Sequence, residues 1–367
     1  METFRSSRHF IEDIVDGMYD WVRVLDRDDN VIYMNRAMSE GLGNPKTGMK
    51  CYELIGRNEP CENCISRQAV LNDKPCEKEE YIGNQVFSVM SSPLKNEKGE
   101  IVAVVEVLRD STEVRRLQRE LIRQNTKLNE ELKLAKKLQC SLLPKRLPED
   151  RIGFSFVYKP CEELGGDFLD IFRVDERHVG IYIADVSGHG VPASMLTVFL
   201  RSTLNKRLLS PADALRELFQ EFNASRIDED LYITIFYAII DTADMTMVYS
   251  NAGHNVCPIV FSRDRFELLR MPGIPISNWL EKPEYRNGEI SLGKGDKIFF
   301  YTDGIVEMRN ASNEQFGEER LLELLLDAGL EPSAVLNSIV DSACSFAGIP
   351  DIGGIPDDIT MALLEIK

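Results

Sequence analysis

Nowhere among its 367 residues does the chain offer the roughly 20 consecutive apolar residues that a membrane span needs, so no transmembrane segment is expected. Basic charge is in short supply: 43 lysines and arginines face 60 aspartates and glutamates, a formal net charge of −17. A nucleic-acid partner would require a basic surface to meet its phosphates, and this balance argues against one. The opening residues 1–9, Met-Glu-Thr-Phe-Arg-Ser-Ser-Arg-His, lack the apolar core of a secretory signal, and the cytoplasm is the expected compartment. Cysteine is sparse as well, eight residues in all, with a single CxxC pair.

What is present, 43% hydrophobic and 28% charged residues, is the composition of a globular protein long enough for two domains or slightly more. Four of the cysteines, Cys51, Cys61, Cys64 and Cys76, fall in the first quarter of the chain with the spacing C-x9-C-x2-C-x11-C. In a cytosolic protein such a set reads as metal-binding or redox-active rather than as a disulfide framework. Thiolates suit zinc or an iron-sulfur cluster, a thiol/disulfide switch is a second reading, and ordinary buried or loop cysteines are a third. Cys140, Cys161, Cys257 and Cys344 are scattered through the rest and read as packing residues.

The chemistry concentrates later. Gly165-Gly166-Asp167-Phe168 and Asp185-Val186-Ser187-Gly188-His189-Gly190 each set an aspartate beside glycines. Asp167 follows the strand-like 154–158 and a turn, Asp185 ends the alternating run 178–184, and Asp303 ends 297–302 within Tyr301-Thr302-Asp303-Gly304. Asp357-Asp358-Ile359-Thr360 lies within the last eleven residues. Four carboxylate stations at strand ends point to a hard divalent cation, because Mg²⁺ and Mn²⁺ take oxygen donors. Carboxylates gathered without a cation would repel one another and be driven toward protonation. Glycine beside each strand end permits a sharp turn and close approach of a ligand.

Residues 140–367 resemble the PP2C-type metal-dependent phosphatases of bacterial partner-switching systems, the RsbU and SpoIIE-like branch. The resemblance rests on Gln139-Cys140-Ser141-Leu142-Leu143-Pro144, the GGDF and DVSGHG stretches, Asn251-Ala252-Gly253-His254-Asn255, YTDG with Glu307, and the terminal DDIT. It implies an α/β/β/α sandwich of two antiparallel sheets with a two-metal site holding Mn²⁺ or Mg²⁺. It further implies that Asp185 bridges the metals, that the Val186 carbonyl is a ligand, that Asp303 and Asp357 complete the set, and that Asp167 acts directly or through water. Asp358 is the neighbouring alternative to Asp357. Asp185 and Asp303 are the expected catalytic residues, and the implied substrate is phosphoserine or phosphothreonine on a STAS-domain anti-sigma-factor antagonist. No counterpart of the phosphate-binding arginine of the eukaryotic relatives is identified. The GGDF tetrapeptide also resembles a diguanylate cyclase loop, but Leu169-Asp170 stands where that loop has Glu-Phe, which excludes it. His189 could be read as a general acid, like the histidine two residues after the aspartate in eukaryotic PP2C enzymes, but it lies four residues after Asp185, and a turn-stabilising histidine is the preferred reading.

Residues 1–110 form the first expected domain. Trp21-Val22-Arg23-Val24-Leu25 and Val31-Ile32-Tyr33-Met34-Asn35 make a hairpin about Asp26-Arg27-Asp28-Asp29-Asn30, and 85–90 and 101–107 supply two further strands. The pattern, with 29–37 and the closing strand that feeds a helix at Asp110, resembles a PAS sensory domain, an antiparallel sheet with helices. Over 111–143, Val114, Leu121, Leu128, Ala135 and Leu142 recur every seventh residue, with Leu117, Gln124, Glu131 and Leu138 at companion positions. A seam of this period predicts a parallel coiled-coil linker and hence a homodimer through the PAS domain and linker; a single helix packed on its own domains is the other reading. The linker region 112–146 carries ten basic and four acidic side chains, against the acidity of the whole. The phosphatase domain, 144–367, is expected to place helices at 192–206 and 211–222 and a buried strand at 231–240 that pairs with 245–250.

The expected whole is an α+β protein: PAS sensor, helical linker, and a PP2C-like catalytic domain that hydrolyses phosphoserine or phosphothreonine. A catalytically silent module that binds a phosphoprotein is the alternative, and a phosphatase of small phosphate esters is a third reading.

Overall fold

The computed structural model describes residues 7–145, 151–227, 230–279, 282–325, 331–350 and 355–367. The chain divides into two compact units, Met1–Leu128 and Asn129–Lys367.

The first unit opens with helix α1 (Ser7–Asp16) and strands β1 (Trp21–Leu25) and β2 (Val31–Met34). Three short helices follow, α2 (Arg36–Gly41), α3 (Cys51–Leu54) and α4 (Ile65–Asn72), then β3 (Cys76–Ile82), β4 (Gln85–Lys95) and β5 (Ile101–Asp110). The strands form one antiparallel sheet in the order β2-β1-β5-β4-β3, in which Val24 faces Tyr33 and Met90 faces Val107. Asp26 builds the first turn: its carboxylate accepts from the backbone N–H groups of Asp28 and Asn30. Strand β3 is absent from the sequence expectation, because Cys-Glu-Lys-Glu-Glu-Tyr-Ile reads as a solvated polar run rather than an edge strand with one wet face.

Helix α5 (Thr112–Leu142) is continuous, and the division between the two units falls inside it. Of the expected seam, Val114, Leu117, Leu121, Leu128 and Leu138 are exposed in the single chain. Leu142 instead packs against the core of the second unit.

The second unit runs β6 (Ile152–Lys159), β7 (Phe168–Arg173), β8 (His178–Val186), α6 (Gly190–Thr203), α7 (Pro211–Ala224), β9 (Ile233–Asp241), β10 (Thr246–Ala252), β11 (Ile259–Phe261), β12 (Phe266–Leu268), β13 (Gly288–Ser291), β14 (Lys297–Tyr301), α8 (Gly317–Leu325), α9 (Pro332–Ala347) and β15 (Ile359–Ile366). Two five-stranded sheets result, β13-β10-β9-β8-β7 and β12-β11-β14-β15-β6. Their facing sides share one core in which Phe236, Ala238 and Ile240 of β9 meet Phe300 of β14 and Ala362 and Leu364 of β15. Alternate residues of β9, Ile235, Tyr237 and Ile239, point the other way, into a core with Leu200 of α6 and Leu215, Leu218 and Phe222 of α7. The outer side of the second sheet is covered by α8 and α9 through Leu321, Leu336 and Ile339. Four layers, α/β/β/α, account for the unbroken burial of β9 from Ile233 to Ile240, since a strand covered on both faces has no wet side to alternate with. Helix α7 starts where Ser210 caps the Asp213 N–H and Pro211 occupies the first turn.

Candidate functional site

Antiparallel pairing brings distant parts of the chain to one end of this sandwich. Phe168, at the start of β7, faces Ala184 near the end of β8, which sets Asp167 beside Asp185. Tyr301, ending β14, faces Met361 of β15, which sets the Asp303 turn beside Asp357 and Asp358. Ile359 faces Lys159, the last residue of β6, so the loop that leads from β6 to Asp167 lies against the same aspartates. Asp185 itself faces Thr234 on β9, whose hydroxyl donates to the Asp185 carbonyl at 3.1 Å. Asp167 therefore precedes a strand instead of ending one, a correction to the sequence reading; the intervening loop 160–166 carries it from β6 to the other sheet.

The carboxylates differ in what holds them. Asp167 is buried and accepts from Thr302 Oγ1 at 2.7 Å. Asp303, at the start of a 3-10 turn (Asp303–Ile305), accepts from Asn255 Nδ2 at 2.5 Å. Asp358 is committed to backbone: it accepts from Cys161 N at 2.7 Å, Gly166 N at 2.6 Å and Asp167 N at 3.2 Å. Asp357 is exposed at the mouth and, among the described residues, accepts only the N–H of Asp358, at 2.8 Å. The loop before Asp167 has a second clamp in Gln139 of α5, a buried amide that donates to Gly165 O at 2.8 Å and to Thr197 Oγ1 of α6 at 3.2 Å. The Gln139 side-chain oxygen accepts Gly165 N at 3.2 Å. Gly166 is required by space: a Cβ there would stand 2.9 Å from Val186 O and 3.1 Å from Gly188 O.

Electrostatically the cluster lacks a compensating positive charge among the described residues. Burial, and then Asp303, Asp357 and Asp358, push the Asp185 carboxyl up to about 8. Asp167 is driven well above the carboxylate range by burial first and then by Asp185 and Asp358, against the opposing hydrogen bond of Thr302. Asp357 rises through partial loss of solvent, offset by its bond from Asp358 N–H and reinforced by Asp303, Asp358 and Glu307. Among the described residues no lysine or arginine is paired with Asp167, Asp185, Asp303 or Asp357. Nor do three His, Cys, Asp or Glu side chains already surround one point as metal ligands would. The donor chemistry still fits a divalent cation: hard oxygen donors in excess, mutually repelling, beside the Val186 carbonyl that Gly166 leaves room for.

His254 supports the same end from beneath. It is buried, its ring N–H meets the Tyr301 carbonyl at 2.9 Å through Nε2, and burial holds it below the usual histidine range, so the neutral form prevails. His189 caps the start of α6 without a side-chain cap bond; its exposed ring faces Glu162, Nδ1 to Oε1 3.0 Å.

In the first unit, Cys51, Cys61 and Cys64 line one cavity of about 20 Å³, whereas Cys76 is not among its walls. The sulfur of Cys76 stands 3.8 Å from the Lys74 carbonyl. The expectation of a four-thiol zinc or iron-sulfur site is thereby corrected: nothing among the described residues gathers these thiols as ligands. The sequence spacing measures chain length, not where the thiols point. Of the four cysteines read as packing residues, Cys344 is buried and Cys140 is exposed.

Residues 175–367 match the family model of Stage II sporulation protein E (SpoIIE). The chain belongs to the SpoIIE family. Residues 15–116 match a PAS fold, so a PAS domain precedes the PP2C-type SpoIIE domain. Phosphoserine phosphatase RsbP of Bacillus subtilis is 31% identical over 194 residues, half of this chain and 47% of RsbP. Phosphoserine phosphatase RsbU of the same organism is 25% identical over 247 residues, 65% of this chain and 71% of RsbU. The chain thus spans about half the length of the first of these relatives. The SiaA-PP2C domain of Pseudomonas aeruginosa has the same fold, with a TM-score of 0.59 at 21% identity, covering 66% of this chain and 99% of that domain. Among the described residues no helix is long and apolar enough to cross a membrane.

Gln139, Thr302, Asn255 and Asp358 were within stretches the sequence singled out, yet their holding roles were not read from it. Each reaches a partner far along the chain, and only the two-sheet packing reveals that pairing.

Proposed function

We propose that the chain is a metal-dependent protein phosphatase that hydrolyses phosphoserine or phosphothreonine on a phosphorylated STAS-domain protein, under the control of its PAS domain. The observation that carries this reading is the convergence of Asp167, Asp185, Asp303 and Asp357 at one end of the sandwich without a paired lysine or arginine. The relatives named phosphoserine phosphatases support the reaction class.

Asp185, the Val186 carbonyl, Asp303 and Asp357 would hold two Mn²⁺ or Mg²⁺ ions, with Asp167 acting directly or through water. Such ions supply the positive charge that lowers the pKa of water and offsets the phosphoryl oxygens. The chain contributes positions. Thr302 aims Asp167, Asn255 aims Asp303, and Asp358 and Gln139 fix the loop between β6 and β7. Because Asp358 is occupied by three backbone donors, Asp357 is the better candidate ligand of the pair. The phosphoryl group passes to water, the bond from phosphorus to the seryl oxygen breaks, and no cysteine or serine of the protein need act as nucleophile. The exposed leucines of α5 support a homodimer through the linker, with the PAS domain beside it. Light scattering of the intact chain should then give twice 41.7 kDa.

The test is phosphate release from a phosphorylated STAS-domain protein by the full chain, with Mn²⁺ or with chelator, beside Asp303→Asn. Turnover that needs the ion and is lost in the variant is expected. No turnover on that protein or on phosphoserine peptides would favour a silent phosphoprotein-binding module.

A further inference from the structure

The cavity lined by Cys51, Cys61 and Cys64 is too small for an organic ligand, since about 20 Å³ admits roughly one water. Its chemistry is therefore that of its walls, and those walls hold three thiols. Two acids beside them are already paired: Glu106 with Arg23 at 2.7 Å and with Ser66, and Glu80 with Lys78 at 2.5 Å and with Arg57. Cys61 receives what donors remain. Its sulfur lies 3.3 Å from Arg57 Nη1, and Lys78 lines the same cavity.

The pair Cys61 and Cys64 flanks the two-residue turn at 62 and 63, and α4 begins directly after Cys64. The ends of such a turn lie within about 7 Å, Cα to Cα, and a disulfide spans about 4.4–6.8 Å, so the bond asks little of the backbone. Cys64 is the N-cap residue of α4, yet its side chain makes no capping bond and is free to turn. Both thiols are half-buried, so a small oxidant can reach them. Cys51 differs: it is buried, and loss of solvent pushes its thiol up to about 12, which keeps it protonated and inert.

We propose that Cys61 and Cys64 form a reversible dithiol–disulfide site in the PAS domain, with Cys61 as the attacking thiol, Cys64 as the resolving thiol and a peroxide as oxidant. The Cys61 sulfur attacks one peroxide oxygen, the O–O bond breaks, and the departing oxygen leaves as water after taking a proton. Cys64 then attacks the sulfenic sulfur, the S–S bond forms and a second water leaves. Two electrons pass from the thiol pair to the peroxide, and a dithiol reductant reverses the change. Arg57 acts by donating to the sulfur and to the oxygen it gains.

Tryptic peptide 58–67 contains both cysteines and no other, so mass spectrometry reads the site directly. The full chain, reduced and then exposed to limiting hydrogen peroxide, should convert this peptide to a form 2 Da lighter and closed to alkylation. That conversion should run about tenfold or more ahead of oxidation at exposed Cys140, and dithiothreitol should reverse it. Cys64→Ser should leave a dimedone-reactive sulfenic acid at Cys61, and Arg57→Gln should slow Cys61 several-fold. The proposal falls if Cys61 reacts no faster than Cys140, if its disulfide partner is another cysteine, or if Cys64→Ser yields no dimedone adduct.

Discussion

Replacing Gln139 by methionine isolates the hydrogen bonds of one side chain from its volume. The amide satisfies both backbone groups of Gly165, at 3.2 Å for the N–H and 2.8 Å for the carbonyl, and bonds the Thr197 hydroxyl. Thr197 keeps its own bond to the Ser194 carbonyl at 2.7 Å, so it loses little. The Gly165 N–H and C=O are left unpaired in a buried place, and each costs about 1–3 kcal/mol. A net loss of about 3 kcal/mol follows, the remainder being recovered by water or by relaxation. For a unit of this size about 2–4 °C of melting temperature is lost per kcal/mol, so the transition of the SpoIIE domain should fall by roughly 6–12 °C.

Activity should fall as well, because Gly165 is two residues from Asp167. If half of the lost free energy bears on the position of that carboxylate, the rate of phosphate release falls about tenfold, at about 1.4 kcal/mol per decade. Gln139→Glu should be worse than methionine: it keeps an acceptor for the Gly165 N–H but sets a carboxylate oxygen against the Gly165 carbonyl. Calorimetry of the full chain, with phosphate release measured on the same samples, checks both effects. A Gln139→Met protein that melts within about 1 °C of the parent at unchanged rate would refute the reasoning.

Asp357→Asn should abolish turnover while leaving stability within about 1 kcal/mol, since asparagine keeps an oxygen for the Asp358 N–H. Asp358→Asn should instead cost about 2–4 kcal/mol in urea unfolding, because an NH₂ group must face one of three backbone donors; the reverse pattern would exchange the two roles. Mn²⁺ at 100 times its dissociation constant should stabilise the folded chain by about 2.7 kcal/mol, and Asp185→Asn should lose that gain in a melting assay. His254 is held neutral by burial, so the unfolded chain binds a proton there more readily than the folded one. Its contribution is intact above the ordinary histidine pKa of about 6.5 and is lost as pH falls below it, by up to about 1.4 kcal/mol per pH unit. Urea unfolding at pH 7.5 and 5.5 should show a steeper acid loss for the parent than for His254→Gln.

What the sequence disclosed and what it withheld divide along one line. Hairpins about local turns were legible, as in β1–β2 and β9–β10, because turn chemistry and strand periodicity are neighbours along the chain. Helix α5 was legible from its apolar period, but the same period cannot say what covers Leu117 or Leu121. The aspartate stations were legible because Asp167 and Asp303 adjoin glycines and Asp185 and Asp303 close strand-like runs. Which of Asp357 and Asp358 is committed to the fold was not, since the answer lies in amides at Cys161, Gly166 and Asp167, nearly two hundred residues earlier. The membership of the cysteine set was hidden for the same reason: Cys76 continues the spacing but stands apart from the thiols that share the cavity.

Two glycines explain why the carboxylates can approach at all, and neither is needed for an unusual backbone angle. At Gly304 a Cβ would run into the carbonyl of Asp358, so its absence lets the turn that bears Asp303 lie against the Asp357–Asp358 strand start. At Gly166 a Cβ would crowd the Val186 and Gly188 carbonyls, so its absence lets the Asp167 loop cross from one sheet to the other over the end of β8. The fold thus spends its smallest residues where two backbones must touch, and in doing so it concentrates four acids that repel one another. Burial, and then the neighbouring carboxylates, raise Asp167 and Asp185, and among the described residues no lysine or arginine neutralises them. A structure built for stability alone would have placed a lysine or an arginine among them. This one leaves the four acids without such a partner among the described residues, while committing Thr302, Asn255, Asp358 and Gln139 to hold them in place, an arrangement that fits the cation of the proposed function.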